Sequence, residues 1–125
     1  MKVNLTTIAR GDDSGYRKAD RMVIASKEKW NRLWREHTSD LLPPPPVPEI
    51  DFSKNSVIAV FAGEKPSSGF SIQVASAETT DDSETLVVKI KQGQPGKIAE
   101  DVITRPYHLV RIPRMEVTSV IFEEI

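Results

Sequence analysis

The sequence has no cysteine and only two histidines, His37 and His108. The first absence removes disulfides, thiolate nucleophiles and cysteine-ligated metals, and leaves the redox compartment open. The second means that a three-ligand zinc site would need both histidines plus a carboxylate. An excess of one charge is missing too: 17 basic residues against 18 acidic ones leave a net charge of −1, so no bulk field draws the chain to nucleic acid or an anionic membrane. Long apolar runs are absent. Nothing approaches the roughly 18 residues of a membrane span, and the opening MKVNLTTIARGDD lacks the apolar core of about 7 to 15 residues that a signal peptide needs. As written, the chain is expected to be soluble and cytoplasmic, or extracytoplasmic if a signal or lipid-anchor segment precedes it.

What is present suits a single domain over residues 1–125 held together by packing alone; a chain of this size hides roughly two thirds of its unfolded surface. The organising stretch is Ser56–Val74, SVIAVFAGEKPSSGFSIQV. The unbroken apolar run from Val57 to Ala62 reads as a strand buried on both faces. Gly63, Pro66, Ser67, Ser68 and Gly69 then supply a turn, and Phe70, Ile72 and Val74 alternate with Ser71 and Gln73 as a strand with one buried face. The expected object is a hairpin with Phe70 on its buried side.

The remaining chain falls into order around it. Val3 to Ala9 and Arg21 to Ala25 read as two strands paired with each other, separated by a loop carrying Ser14, Gly15 and Tyr16. Ser26 stands as an N-cap before KEKWNRLWREH, where Trp30, Leu33, Trp34 and His37 share one helical stripe. Residues 41–50, LLPPPPVPEI, form a proline-rich extended connector. No charged anchor flanks the tract as a ligand of SH3-like or WW-like modules would require. Further strands are expected over Leu86–Ile90, over 102–112 with a break at Pro106, and over 117–122. The sum is an α+β, mainly β domain: a curled antiparallel sheet or two-sheet sandwich of about seven strands, with one amphipathic helix over about residues 26–38 packed on it.

Chemistry-bearing patterns are weak. His37 closes an apolar helical stripe, so no metal is expected. Asp81, Asp82, Ser83 and Glu84 lack calcium-loop spacing, GEKPSSG does not follow the order of a phosphate loop, and no G-x-S-x-G elbow is present. Arg105, Arg111 and Arg114 with Tyr107 and His108 have the composition of a nucleic-acid surface, but Glu116, Glu123 and Glu124 follow closely, and no nucleic-acid binding is expected. No catalytic residue and no cofactor is assigned. Loops on a rigid β scaffold are where contact residues gather, so the candidates for a partner surface are Ser14, Gly15 and Tyr16, then Lys65, Pro66, Ser67, Ser68, Gly69 and Phe70, then Arg105, Pro106, Tyr107 and His108.

Ala9-Arg10-Gly11 with Ser14-Gly15-Tyr16, the SKEKWNRLWREH cap and helix, Asp51-Phe52-Ser53, VIAVFAGEKPSSGFSI and RPYHLVRIPR together resemble the PrcB C-terminal domain family across nearly the whole chain. That resemblance implies a non-catalytic accessory domain whose partner is a protein, a protease or its precursor, and the chain is expected to be monomeric. A fainter similarity joins Lys65-Pro66-Ser67-Ser68-Gly69-Phe70 and Arg105-Pro106-Tyr107 to the P-T-T-G-Y and R-P-W loops of chagasin-like protease inhibitors, although the G-x-G-G loop of that family is missing. Direct protease inhibition is therefore the alternative reading, and a small hydrolase or ligand-binding domain is the third.

Overall fold

A computed structural model describes residues 1–125. Seven strands and one helix follow in the order β1 (Thr6–Gly11), β2 (Ala19–Ile24), α1 (Lys27–His37), β3 (Asn55–Ala62), β4 (Ser71–Thr79), β5 (Thr85–Gly93), β6 (Tyr107–Pro113) and β7 (Ser119–Glu124). A four-stranded sheet runs β1-β6-β3-β2 and a three-stranded sheet runs β4-β5-β7. The molecule is therefore a two-sheet sandwich with α1 on the outer face of the larger sheet, as the composition of its segments leads one to expect.

Strand β3 is the middle layer. Its apolar residues divide by parity: Ile58, Val60 and Ala62 join Ile72, Val74, Leu86, Val88 and Ile90 between the sheets. Val57, Ala59 and Phe61 join Trp30, Leu33 and Trp34 beneath the helix. A strand facing two cores must be apolar at every position, which is why this run shows no alternation. Strands β4 and β5 face one core each and do alternate.

The helix forms where its caps permit. Ser26 Oγ accepts from Lys29 N at 3.3 Å, and Thr38 ends the helix with its Oγ1 donating to Trp34 O at 2.7 Å. The proline tract crosses the helix, and its carbonyls serve the indoles: Trp30 Nε1 donates to Pro48 O at 2.9 Å and Trp34 Nε1 to Pro45 O at 3.1 Å. A proline-rich segment has few N–H groups but a full set of acceptors, so it can cover two buried donors without leaving a donor of its own unpaired.

Three expected pairings are corrected. Ser56–Val74 is not a hairpin: both edges of β3 are taken, by β2 and β6, so residues 63–70 carry the chain across to the other sheet, where β4 pairs with β5. The first two strands do not pair with each other but occupy opposite edges of the larger sheet, and Val3 instead donates to Ala77 O at 2.9 Å on the edge of β4. The last strand runs parallel to β5, not antiparallel. Elsewhere the break at Pro106 is real, with β6 beginning at Tyr107. The acidic turn after β4 is organised by Asp82 Oδ1, which accepts from Thr80 Oγ1 at 2.6 Å and from Glu84 N at 3.0 Å.

Replacing Trp30 by Phe strands the Pro48 carbonyl and trims a ring that is only 1% exposed, so denaturant titration is expected to show a loss of roughly 2–3 kcal/mol.

Candidate functional site

The three candidate stretches meet at one end of the sandwich. Segment 100–106 runs between the other two. On one side Arg105 N donates to Asp12 O at 2.7 Å and Ser14 N to Arg105 O at 3.2 Å. On the other, Thr104 and Lys65 exchange backbone bonds of 3.0 and 2.8 Å, Ser68 N donates to Glu100 O at 3.0 Å, and Thr104 Oγ1 donates to Ser67 O at 2.9 Å. Gly63 and Gly69 sit at φ 80° and 90°, a region that favours glycine, and they let the crossing loop make its two bends.

Not every candidate offers surface. Ser14 and Gly15 are buried and act as a pin. Gly15 N donates to His37 O at 2.7 Å, and a Cβ there would lie 2.6 Å from Glu36 O and 2.5 Å from Ser39 Oγ, so the loop lies directly on the end of α1. Ser14 Oγ accepts from Tyr16 N at 3.0 Å and shares a proton with His37 Nδ1 at 2.7 Å. Tyr16 stacks on Phe61 with 4.3 Å between centroids, and its hydroxyl donates to Asp20. Burial, then that bond, push its phenol up to about 12. Pro106, Tyr107 and His108 are also buried, with Tyr107 edge-on to His37 at 4.3 Å. Phe70, expected inside, precedes β4 and is half-buried beneath the Lys65 ammonium, 5.4 Å from the ring centre.

The two imidazoles lie on opposite faces of the larger sheet. His37 belongs to the helix side, where burial lowers its pKa against the opposing pull of Asp13. His108 points between the sheets. Its Nδ1 accepts from Val74 N of the facing sheet at 3.0 Å, so Nε2 holds the proton and donates to Thr7 Oγ1 at 2.9 Å. Both partners flank a β-bulge, where ladder pairing is interrupted. Burial, with Arg10 adding to it, lowers the His108 pKa to about 4. No carboxylate contacts it through a hydrogen bond or ion pair.

What remains accessible at this end is an open groove of about 430 Å³ lined by Asp12, Asp13, Asp40, Leu41, Ser68, Glu100, Val102, Ile103, Thr104 and Arg105. Arg105 is pinned at the groove: its Nε and Nη2 donate to Glu64 Oε1 at 3.0 and 2.9 Å, and its Nη1 lies 3.6 Å from Asp40 Oδ2. Of these ten residues only Ser68 and Arg105 are candidates from the sequence; Leu41, the four carboxylates, Val102, Ile103 and Thr104 are not. Valine and isoleucine at 102–103 read as the start of a strand, and only their exposure marks them as surface.

A comparison with known families finds one similarity. Residues 56–113 match the model of the PrcB C-terminal family. The match runs from β3 to the end of β6, so it shows over just under half of the chain the resemblance that the motifs carry more widely. The PrcB-like region includes the crossing loop and the 105–108 corner, while Ser14–Tyr16 and the helix lie outside it. No curated protein and no solved structure matches the chain. No helix is long and apolar enough to cross a membrane.

Two outcomes follow from this geometry. Because the folded pKa of His108 is depressed, its contribution to stability is complete above about 6.5 and is lost as pH falls from there to about 4, a loss on the order of 3 kcal/mol; His108→Gln should flatten most of that slope in denaturation against pH, leaving the part due to His37. Gly15→Ala, which drives a methyl into backbone that cannot yield, should lower stability by about 2 kcal/mol in the same assay.

Proposed function

We propose that this chain is a non-catalytic partner-binding domain, of the kind that assists or stabilises a protease complex, and that it grips its partner with the groove at the loop end. The carrying observation is that two loops remote in sequence and the 100–106 segment are knitted by backbone hydrogen bonds into one surface, with Ile103 62% exposed among the residues lining its groove. Apolar side chains standing open on a rigid frame are the usual mark of a contact surface. Two further facts support the reading. Both histidines are engaged in buried hydrogen bonds that hold loops and sheets together, and the PrcB-like region supplies the crossing loop and the 105–108 corner.

Direct inhibition of a protease is less well supported. An inhibitory wedge would have to project Pro106 and Tyr107, and both are buried, with the Tyr107 ring against His37.

The test is affinity capture from the native host with the immobilised chain, comparing wild type, Ile103→Ser and Ile121→Ser; Ile121 is another exposed isoleucine, on β7 and away from the groove. A partner whose recovery drops at least about tenfold with Ile103→Ser alone is the expected result, since a buried interface anchor is worth a tenfold change or more. Identical recovery by all three proteins would sink the proposal, and inhibition of papain by the isolated chain would favour the inhibitor instead.

A further inference from the structure

Resting on that partner-binding reading, we infer that the groove takes an extended polypeptide segment in which a large apolar side chain is flanked by lysine or arginine. The floor is apolar and comes from two places in the chain, Leu41 and Val102–Ile103. These side chains stand 45%, 47% and 62% exposed, so they form a patch and not a scattered single residue. The rim is acidic. Asp12, Asp13, Asp40 and Glu100 line it against one cation, Arg105, whose guanidinium is already held by Glu64 and Asp40. Asp40 is further satisfied by Arg17 at 3.2 Å, whereas no ion pair reaches Asp12, Asp13 or Glu100.

Three unpaired carboxylates beside an apolar floor repel an acidic ligand and lower the free energy of an incoming cation. Their field reaches inward as well: after burial, Asp13 and Asp12 are what raise the pKa of the Tyr107 phenol. The groove is open to solvent and not enclosed, which suits a chain lying across it better than a small molecule, since small-molecule sites enclose most of their ligand. Ile103 also keeps its main-chain N–H and C=O free of any hydrogen bond within the protein, so an extended segment finds both a donor and an acceptor at the floor.

Two labelled peptides of equal length, one with a central leucine between lysines and one with the same leucine between glutamates, are titrated into the full chain by fluorescence anisotropy at low and high salt. The lysine peptide should bind, more weakly as salt rises, and the glutamate peptide should not. The triple variant Asp12→Asn, Asp13→Asn, Glu100→Gln should weaken binding about tenfold, the combined effect of three exposed charge contacts, and Ile103→Ser should weaken it independently. Equal binding of both peptides, binding of neither, or a triple variant that binds like wild type overturns the inference. Sedimentation showing a dimer that Ile103→Ser dissolves would do so too, by seating a second copy in the groove. If Ile103→Ser still abolishes capture of the native partner while the triple variant does not, the docking surface stands and only its preference for cations falls.

Discussion

Everything in this fold depends on β3 having two inner faces. A strand whose six residues from Val57 to Ala62 are all buried must be covered on both sides, and the chain supplies a second sheet for one and a helix for the other. Six apolar side chains removed from water contribute several kcal/mol together, at about 25 cal/mol per Å². They also set the topology. With β2 and β6 already on its edges, β3 cannot turn back on itself, and the loop after it has to leave the sheet.

That departure creates the loop end of the molecule, where the groove lies. Residues 63–70 cross between the sheets at the same end where the chain enters β6 and where β1 gives way to Ser14, so all three connections crowd together and stitch to one another. Ser14, Gly15 and Thr104 are spent on that stitching, which leaves the groove to be defined by residues beside them. His108 performs a comparable task deeper in, joining the facing sheets through a polar bond in an otherwise apolar interior. A neutral imidazole can do this because it accepts at one nitrogen and donates at the other, and a leucine of similar size would leave the Val74 amide without a partner.

The sequence disclosed faces better than neighbours. Period-two alternation in Ile72, Val74 and Leu86, Val88, Ile90 says which side of a strand is buried, and the helical spacing of Trp30, Leu33, Trp34 and His37 says the same for the helix. Neither periodicity carries information on which strand lies alongside, so the supposed hairpin, the supposed pairing of the first two strands and the direction of the last strand could not be read. The groove was half visible for a related reason. Ser68 and Arg105 sit among turn-forming residues and drew notice, whereas Val102 and Ile103 have the composition of a strand and lie in a connector whose side chains face water. The carboxylates at positions 12, 13 and 100 looked like ordinary solvated turn residues, and only the folded chain brings them to one rim.

The proline tract over the helix has a consequence for how the protein keeps its own company. Five of the six residues from 43 to 48 have no amide hydrogen, so this strap cannot be recruited as an extra strand by any exposed sheet edge, in this molecule or in another. The tract thereby roofs the two tryptophans with backbone that accepts hydrogen bonds from them yet has almost no amide of its own to offer a neighbouring strand.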